Sequence, residues 1–301
     1  MAKAKNPYLK KANEQHEYTG DHIQELAKCA DDPIYFIRTY CKIQHPVLGS
    51  IPFELYPYQE RMLQLYKDNK QVIVLSARQT GKSQVSAAYL LWYAMFKFEK
   101  TILIASNKND NAMEMIHRIK FMYEHMPHWI KPGLTDDGWN KHNVGFDNGS
   151  RIISTATSEN SGRGLSISLL FLDEFAFVRD TVQEEFWTSM APTLATGGSC
   201  IITSTPNGDS NLYAQLWRGS NIPASLDDIM GTNGFVPIQV RWDEPPGRDE
   251  AFKKKEMAKI GELKWLQEYE CLRGNVFVEI MDENNNIFSI TVEKLYELMD
   301  N

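Results

Sequence analysis

A lysine and a serine at the start of an apolar helix carry the clearest chemical signal in this sequence. Gly81, Lys82 and Ser83 follow a short turn after the β-branched run Val72–Leu75, and residues 84–96 favour a helix. Strand, turn, Gly-Lys-Ser and helix in this order are typical of a phosphate-binding loop. Loop N–H groups and the helix dipole would meet the phosphates, Lys82 would reach the β- and γ-phosphates, and Ser83 would ligate Mg²⁺.

The loop departs from the usual Gly-x-x-x-x-Gly-Lys-Ser/Thr pattern at its first position, where Ser76 stands, and it contains Arg78. A chance Gly-Lys-Ser turn between unrelated elements is the alternative, and the flanking strand and helix patterns make it the weaker interpretation. The residues predicted to bind the nucleotide here are Ser76, Ala77, Arg78, Gln79, Thr80, Gly81, Lys82 and Ser83.

Two acidic residues close a second buried run. Leu169–Leu172 is apolar and leads directly into Asp173 and Glu174. We predict that Asp173 holds Mg²⁺ and that Glu174 orients and deprotonates the attacking water. Apolar runs that end in Asp-Glu also arise by chance, so this prediction draws its strength from the loop.

Hydrolysis of a phosphoanhydride also needs positive charge where negative charge develops on the γ-phosphate. Arg78 in the loop and Arg163, which lies between two glycines, are the candidates. A surface turn is the alternative for Arg163. At the end of another strand, the hydroxyls of Ser204 and Thr205 would sense the γ-phosphate, and a capped strand-end turn is their alternative.

An aromatic–glutamine pair precedes the loop. The Tyr58 ring would stack on adenine, and the Gln59 amide would bind a donor and an acceptor on the edge of the base. Packing of a buried tyrosine at a helix start is an equally good interpretation of the same residues.

The elements that must position these residues indicate an α/β fold. Buried runs separated by helical segments predict a parallel sheet flanked by helices, whose ligands lie at the carboxyl ends of the strands. Val144–Phe146 and Arg151–Ala156 flank the turn sequence Asp147–Ser150 and predict a hairpin. The predicted buried strands are Val72–Leu75, Thr101–Ala105, Leu169–Leu172, Ser199–Ser204 and Val236–Val240.

Composition sets wider limits. The 301 residues carry a net charge of −7, so no general basic footprint for nucleic acid is present, which does not exclude a local basic face. The cysteines lack metal-ligand spacing and fit a reducing compartment. No apolar stretch is long enough to span a bilayer and no signal peptide is visible, so we expect a cytosolic protein. The N-terminal lysines, Lys3, Lys5, Lys10 and Lys11, are interpreted as a solvated tail, with an arm that contacts DNA as the weaker alternative.

Together, these motifs resemble the ATPase domain of the large terminase subunit of tailed bacteriophages over about residues 30–271. The resemblance implies a RecA-like fold of the ASCE class of phosphate-loop NTPases. It also implies roles: Tyr58 and Gln59 at adenine, Arg163 as a finger acting on a neighbouring subunit with Arg78 as the alternative, and coupling of hydrolysis to movement by residues 204–205. Other segments similar to this family are Ser161–Gly164, Thr203–Gly208, Pro246–Asp249 and Gln267–Cys271.

The implied activity is that of a motor that uses ATP and Mg²⁺ to move double-stranded DNA into the procapsid. The implied partners are other copies in a homo-oligomeric ring, the portal protein and the terminase small subunit, in the host cytoplasm at the procapsid portal. On this interpretation residues 1–20 are a loose polar segment and 21–270 form the ATPase domain. Its parts are a helical lead-in (21–55), a phosphate-loop core (56–245) and a helical C-terminal part (246–270).

The last residues depart from the family pattern, whose nuclease domain this sequence lacks. Residues 271–301 resemble the short N-terminal fragment of an atypically split intein, with a hairpin turn at Asp282–Asn286 and a helix at Val292–Met299. The Cys271 thiol would attack the Glu270 carbonyl to give a thioester. A partner chain would supply the remaining intein and the nuclease domain. A truncated gene or ordinary continuation of the domain is the alternative.

Two other functions fit part of the pattern. A superfamily 2 helicase also has an aromatic–glutamine pair, a Gly-Lys-Ser/Thr loop and an Asp-Glu strand, but it needs a second motor domain. A non-catalytic phosphate-loop scaffold is disfavoured because Lys82, Ser83, Asp173 and Glu174 occur together.

Overall fold

A computed structural model describes residues 6–195, 197–225, 228–270, 277–281 and 287–291 of the chain. The helices in these ranges are α1 (Gly20–Asp31), α2 (Pro33–Tyr40), α3 (Pro57–Asp68), α4 (Lys82–Phe96), α5 (Asn109–His125), α6 (Asp180–Ala195), α7 (Leu212–Ser220), α8 (Glu250–Ile260) and α9 (Glu262–Trp265). A 3₁₀ turn spans Phe175–Phe177 and a π-helical turn spans Leu266–Glu270.

The strands of the described residues build one large sheet and two hairpins. They are β1 (Lys42–His45), β2 (Gly49–Pro52), β3 (Gln71–Ser76), β4 (Thr101–Ser106), β5 (Leu134–Asn140), β6 (Asn143–Phe146), β7 (Arg151–Ala156), β8 (Leu169–Asp173), β9 (Ser199–Ser204), β10 (Val236–Val240), β11 (Phe277–Met281) and β12 (Ile287–Thr291). The large sheet has the order β10-β3-β9-β8-β4-β7-β6-β5. All predicted buried strands are present, which confirms the α/β prediction.

The described residues fall into two compact units. The first lies within Met1–Val72 and Gly81–Ile202, and the second within Ile73–Thr80 and Thr203–Asn301. In the first unit, β4 pairs in parallel with both β7 and β8. β6 pairs antiparallel with β5 and with β7 and gives the predicted hairpin at Asp147–Ser150. The Asn148 amide fixes this turn by donating to the carbonyls of Ala94 and Met95.

Helix α4 forms the centre of the first unit because it is apolar on nearly all faces and buried along most of its length. The lead-in helices α1 and α2 and the helix α3 surround it. Trp92 Nε1 donates to the Cys29 carbonyl at 2.7 Å, and the Tyr89 hydroxyl donates to the Tyr66 carbonyl at 2.7 Å. These contacts fix the helix whose first turn carries the Gly-Lys-Ser sequence.

In the second unit, hydrogen bonds connect β10 to the first residues of the loop and α7 to the end of β3. The backbone N–H of Ala77 donates to the Val240 carbonyl, and the Tyr213 hydroxyl donates to the Val74 carbonyl at 2.8 Å. The helical C-terminal part has its own aromatic core, in which Trp265 stacks on Tyr269 at 4.4 Å between ring centroids.

The interpretation of the N-terminal lysines as a solvated tail is wrong at Lys10. Its side chain is 5% exposed, and its ammonium donates to the Lys131 carbonyl. Lys131 in turn donates to the Tyr8 and Glu124 carbonyls, and burial lowers its pKa to about 8. Composition could not anticipate this, because carbonyls distant in sequence replace the water around both ammonium groups.

Several elements with weak hydrophobic periodicity were not predicted from the sequence. Residues 42–52 form the β1–β2 hairpin inside the segment that was assigned to the helical lead-in (21–55). Neither β5, which is exposed along much of its length, nor helices α6 and α7 were predicted. Within the part of the chain that the structure describes, no helix has the length and apolar character needed to cross a bilayer.

The two strands β11 and β12 pair antiparallel, with Met281 opposite Ile287. Cys271 itself, the predicted turn at Asp282–Asn286 and the predicted helix at Val292–Met299 lie outside the described residues.

Candidate functional site

The first turn of α4 presents Lys82 and Ser83 at the end of the loop. Gly81 is the N-cap of this helix, with φ of 78°, a left-handed conformation that favours glycine. A Cβ atom at Gly81 would lie 2.8 Å from the Gln59 amide nitrogen, so the position also needs the absence of a side chain. The helix N-terminus therefore begins at a turn that only glycine accommodates well.

The carboxyl end of β8 places two carboxylates next to this turn, within the first unit. Asp173 is the last residue of the buried strand and is 5% exposed. Glu174 follows in a left-handed conformation with φ of 52°, a costly backbone geometry for a residue with a side chain. Lys82 Nζ lies 2.5 Å from Glu174 Oε1, in a salt bridge with both side chains largely covered. The predicted phosphate-binding lysine and the predicted base are thus direct partners.

The residues predicted to hold Mg²⁺ fit that ion. Ser83 Oγ lies 3.4 and 3.5 Å from the two carboxylate oxygens of Asp173. Adjacent oxygen ligands of an octahedral Mg²⁺ lie about 3 Å apart, since each Mg–O distance is about 2.1 Å. A hydroxyl and a carboxylate are also the donor types that this hard cation prefers. The pair could share one ion with only a small adjustment.

In the second unit, the first half of the loop closes on itself. The hydroxyls of Ser76 and Thr80 lie 2.6 Å apart, and Gln79 adopts a left-handed conformation with φ of 56°. The serine at the position where the usual motif has glycine therefore contributes a hydrogen bond that spans the turn. Ser204 and Thr205 at the end of β9 are buried, at 0% and 2% exposure. Their proposed coupling role stays a prediction.

The loop arginine has a partner that sequence reasoning missed. Arg78 Nε lies 2.7 Å from Glu268 Oε2 in the π-helical turn, and the Arg78 N–H donates to the Glu268 carbonyl at 2.9 Å. Arg248 donates to the carbonyls of Arg78 and Gln79. The segments around Arg248 and Glu268 were noted in the sequence only as family-like, because a partner so distant along the chain leaves no local signal.

The flanking glycines favoured a mobile, exposed presentation of Arg163, and its side chain is exposed, as it would also be in a surface turn. Its guanidinium donates to the Asn160 side chain at 2.9 Å, and the loop below it is held by a hydrogen bond between the Ser158 and Ser161 hydroxyls. Glu184 and Glu185 of α6 line the same surface cavity. The arginine is therefore displayed on a fixed loop at the surface of the first unit.

The two glycines beside Arg163 are not equivalent, which gives a matched pair of variants. Both have φ near +80°, but a Cβ at Gly162 would lie 2.7 Å from Leu103 Cδ2, whereas nothing lies within 4 Å of a Cβ at Gly164. Gly164→Ala should cost only the left-handed backbone, roughly 1–2 kcal/mol. Gly162→Ala should cost more, since it also displaces core side chains. Thermal unfolding of both variants tests this; an equal loss would contradict the packing around Gly162.

The Tyr58 ring, which was predicted to stack on adenine, is buried. Tyr58 is 1% exposed and Gln59 3%. The Gln59 oxygen accepts from the Tyr56 N–H at 3.1 Å, so this amide closes the start of α3. Tyr56, 39% exposed, lies 5.8 Å from Tyr58 between ring centroids and offers an open aromatic face at the same helix start. The packing alternative thus describes Tyr58 well. The sequence analysis did not consider Tyr56, because the motif centres on the tyrosine next to the glutamine.

Comparison with known protein families gives a match over most of the chain. Residues 73–294 match the family model of the terminase large subunit, T4likevirus-type, N-terminal. The match includes the loop, the Asp173–Glu174 pair and residues 271–294 of the tail.

Solved structures agree on the fold. The large terminase ATPase domain of Thermus phage P74-26 is 18% identical, with a TM-score of 0.57 over 73% of this chain and 94% of that one. The HK97 bacteriophage large terminase is 21% identical, with a TM-score of 0.57 over 81% of this chain and 48% of that one. A large terminase from a thermophilic bacteriophage, in complex with ADP, is 14% identical, with a TM-score of 0.56 over 75% of this chain and 55% of that one. The chain thus spans about half the length of the two longer proteins.

Proposed function

This chain belongs to the family of the T4likevirus-type terminase large subunit, N-terminal part, and from this premise we propose that it is the ATP-hydrolysing motor domain of a phage DNA-packaging terminase. The observation that carries the proposal is the Lys82–Glu174 salt bridge beside the Ser83–Asp173 pair. A phosphate-binding lysine, a metal-binding pair and a carboxylate base lie together at one strand end and one helix start. Family membership also favours this function over the helicase and scaffold alternatives.

The mechanism follows from a competition for Lys82. A bound γ-phosphate is a stronger partner for the ammonium group than one carboxylate, because it offers several charged oxygens. When Lys82 moves to the phosphate, the salt bridge to Glu174 breaks, and this carboxylate can then orient and deprotonate a water. Ser83 and Asp173 would hold Mg²⁺, which when bound neutralises phosphate charge. The loop N–H groups and the N-terminus of α4 supply further positive potential.

We assign the remaining roles on the same basis. Arg163, exposed on its fixed loop, would reach the nucleotide of a neighbouring subunit in a homo-oligomeric ring. Arg78, in its ion pair with Glu268, would have to leave that carboxylate to act. Ser204 and Thr205 would couple γ-phosphate loss to movement, and Tyr56 or Tyr58 would contact adenine. Double-stranded DNA, the portal protein and the small subunit are the proposed partners, at the procapsid in the host cytoplasm.

Phosphate release from ATP by the purified chain tests the function. We expect ATP hydrolysis in the presence of Mg²⁺ that stops when EDTA chelates the ion. The rate per chain should increase with protein concentration, because Arg163 would act on the nucleotide of another subunit. Double-stranded DNA should alter the rate. Absence of release at every protein concentration, with and without DNA, would overturn the proposal.

For the tail we propose trans-splicing. The Cys271 thiol would add to the Glu270 carbonyl carbon, the Glu270–Cys271 peptide bond would break, and the amide nitrogen would take up a proton as the thioester forms. Residues 272–301 contain no histidine, so the assisting imidazole would come from the partner chain. Splicing would then join Glu270 to the partner's nuclease domain. Because the family match continues to residue 294, ordinary continuation of the domain is the competing account.

Peptide mass spectrometry of the protein from its natural source separates the two accounts. Cleavage by trypsin after Lys264 and Arg273 should release Trp265–Arg273 if the tail stays attached. Trans-splicing instead predicts a peptide that begins with Trp265–Glu270 and continues into residues that this chain does not encode. Detection of the unspliced peptide alone would contradict the splicing proposal and leave the ATPase proposal unaffected.

A further inference from the structure

Arg248, which was not among the predicted site residues, donates hydrogen bonds to the backbone of the phosphate-binding loop. Arg248 Nη1 lies 3.0 Å from the Arg78 carbonyl oxygen, and Arg248 Nη2 lies 2.6 Å from the Gln79 carbonyl oxygen. The two nitrogens of one planar guanidinium thus bind two consecutive carbonyls. Only arginine has this fork of donors.

The orientation of the Arg78 and Gln79 carbonyls determines the direction of the neighbouring loop N–H groups. A trans peptide is planar, so its N–H points away from its own C=O. The Arg78 carbonyl shares a peptide with the Gln79 N–H, and the Gln79 carbonyl shares one with the Thr80 N–H. Fixing both oxygens on the guanidinium therefore directs two N–H groups to the opposite side of the loop, as phosphate binding requires.

This stretch of backbone needs support. Gln79 is held at φ of 56°, which costs roughly 1–2 kcal/mol for a residue with a Cβ. Such a conformation persists when its surroundings stabilise it. Two charge-assisted hydrogen bonds on the flanking carbonyls are of the right strength to do so.

Arg248 is itself held in place. Its guanidinium lies 5.2 Å from the Phe252 ring centroid and 5.9 Å from that of Tyr269, and Nη1 also approaches the Trp242 carbonyl at 3.4 Å. These aromatic residues belong to the core of the helical C-terminal part. The loop is thus tied to a packed cluster rather than to a mobile side chain.

From these contacts we propose that Arg248 is a positioning residue that holds the phosphate-binding loop in its nucleotide-binding conformation. The inference rests on the proposed ATP site and adds a residue to it that touches no nucleotide. It predicts that the defect of an Arg248 variant originates in the left-handed turn at Gln79.

The test combines Arg248→Ala with a change at the turn. Two lost charge-assisted hydrogen bonds predict an increase of about tenfold in the Kd for Mg-ATPγS. Glycine adopts the left-handed conformation without strain, so in a Gln79→Gly background the same Arg248→Ala change should raise the Kd less than about threefold. Arg248→Lys, which keeps the charge without the fork, should fall between. Arg241→Ala is the matched control, because the Arg241 side chain pairs with Asp243, two residues away.

Hydrogen exchange of a peptide that covers Gln79 and Thr80 provides a readout without nucleotide. Faster exchange in Arg248→Ala than in Arg241→Ala would support the loop-holding role. If the wild-type chain binds no ATPγS but this difference persists, the ATP function fails and the positioning role stands. Equal exchange, or an equal Kd increase in the Gln79 and Gln79→Gly backgrounds, would overturn the inference.

Discussion

Glu174→Gln should reduce ATP turnover by about 10²- to 10⁴-fold while nucleotide binding persists, because the amide keeps the size of the side chain but cannot accept the proton of the attacking water. The variant also loses the ion pair with Lys82. Since the carboxylate competes with phosphate for that ammonium group, we expect Glu174→Gln to bind ATPγS at least as tightly as the wild type.

Steady-state phosphate release and equilibrium titration with ATPγS measure the two effects separately. Glu54→Gln, at an exposed position of the same unit, is the matched control and should turn over like the wild type. A Glu174→Gln turnover within about threefold of the wild-type rate would remove Glu174 as the base, because general-base catalysis contributes far more.

Lys82→Ala should weaken ATP binding by about 100-fold, the loss expected when a charged group with several hydrogen bonds to phosphate is removed. The fold should persist, since Lys82 is the first residue of α4. The substitution does remove the ion-pair partner of Glu174, which has a cost in stability. The double variant Lys82→Ala/Glu174→Gln removes that cost as well. It should therefore unfold at a higher temperature than Lys82→Ala alone.

Titration with ATPγS and thermal unfolding of the wild type, Lys82→Ala and the double variant check the expected loss of affinity and the expected order of unfolding temperatures. Lys67→Ala, which removes an exposed lysine from α3, should leave both quantities unchanged. Wild-type affinity in Lys82→Ala would show that the nucleotide does not bind at this loop, whatever its effect on stability.

The buried strands were predictable because short continuous apolar, β-branched runs are typical of strands that are buried on both faces of a parallel sheet. The loop and the Asp173–Glu174 strand end were predictable for a second reason: each motif carries its chemistry within a few consecutive residues. β5 was not, since Leu134–Asn140 alternates poorly and is exposed along much of its length.

Contacts between residues that are far apart in the chain could not be predicted from the sequence. The Arg78–Glu268 ion pair and the Arg248 grip join residues far apart in the chain, and nothing local marks them. Lys10 is the reverse case, since a lysine near a chain end looks solvated until its buried carbonyl partner is known. The choice between adenine contact and core packing for Tyr58 likewise depended on burial, which a two-residue motif does not encode.

The most direct test of the central claim is a crystal structure of the chain with Mg-ATPγS. We expect the γ-thiophosphate at Lys82 Nζ, Mg²⁺ held by Ser83 and Asp173, and Glu174 separated from Lys82. A nucleotide bound elsewhere, or one bound at the loop while Lys82 remains paired with Glu174, would contradict it.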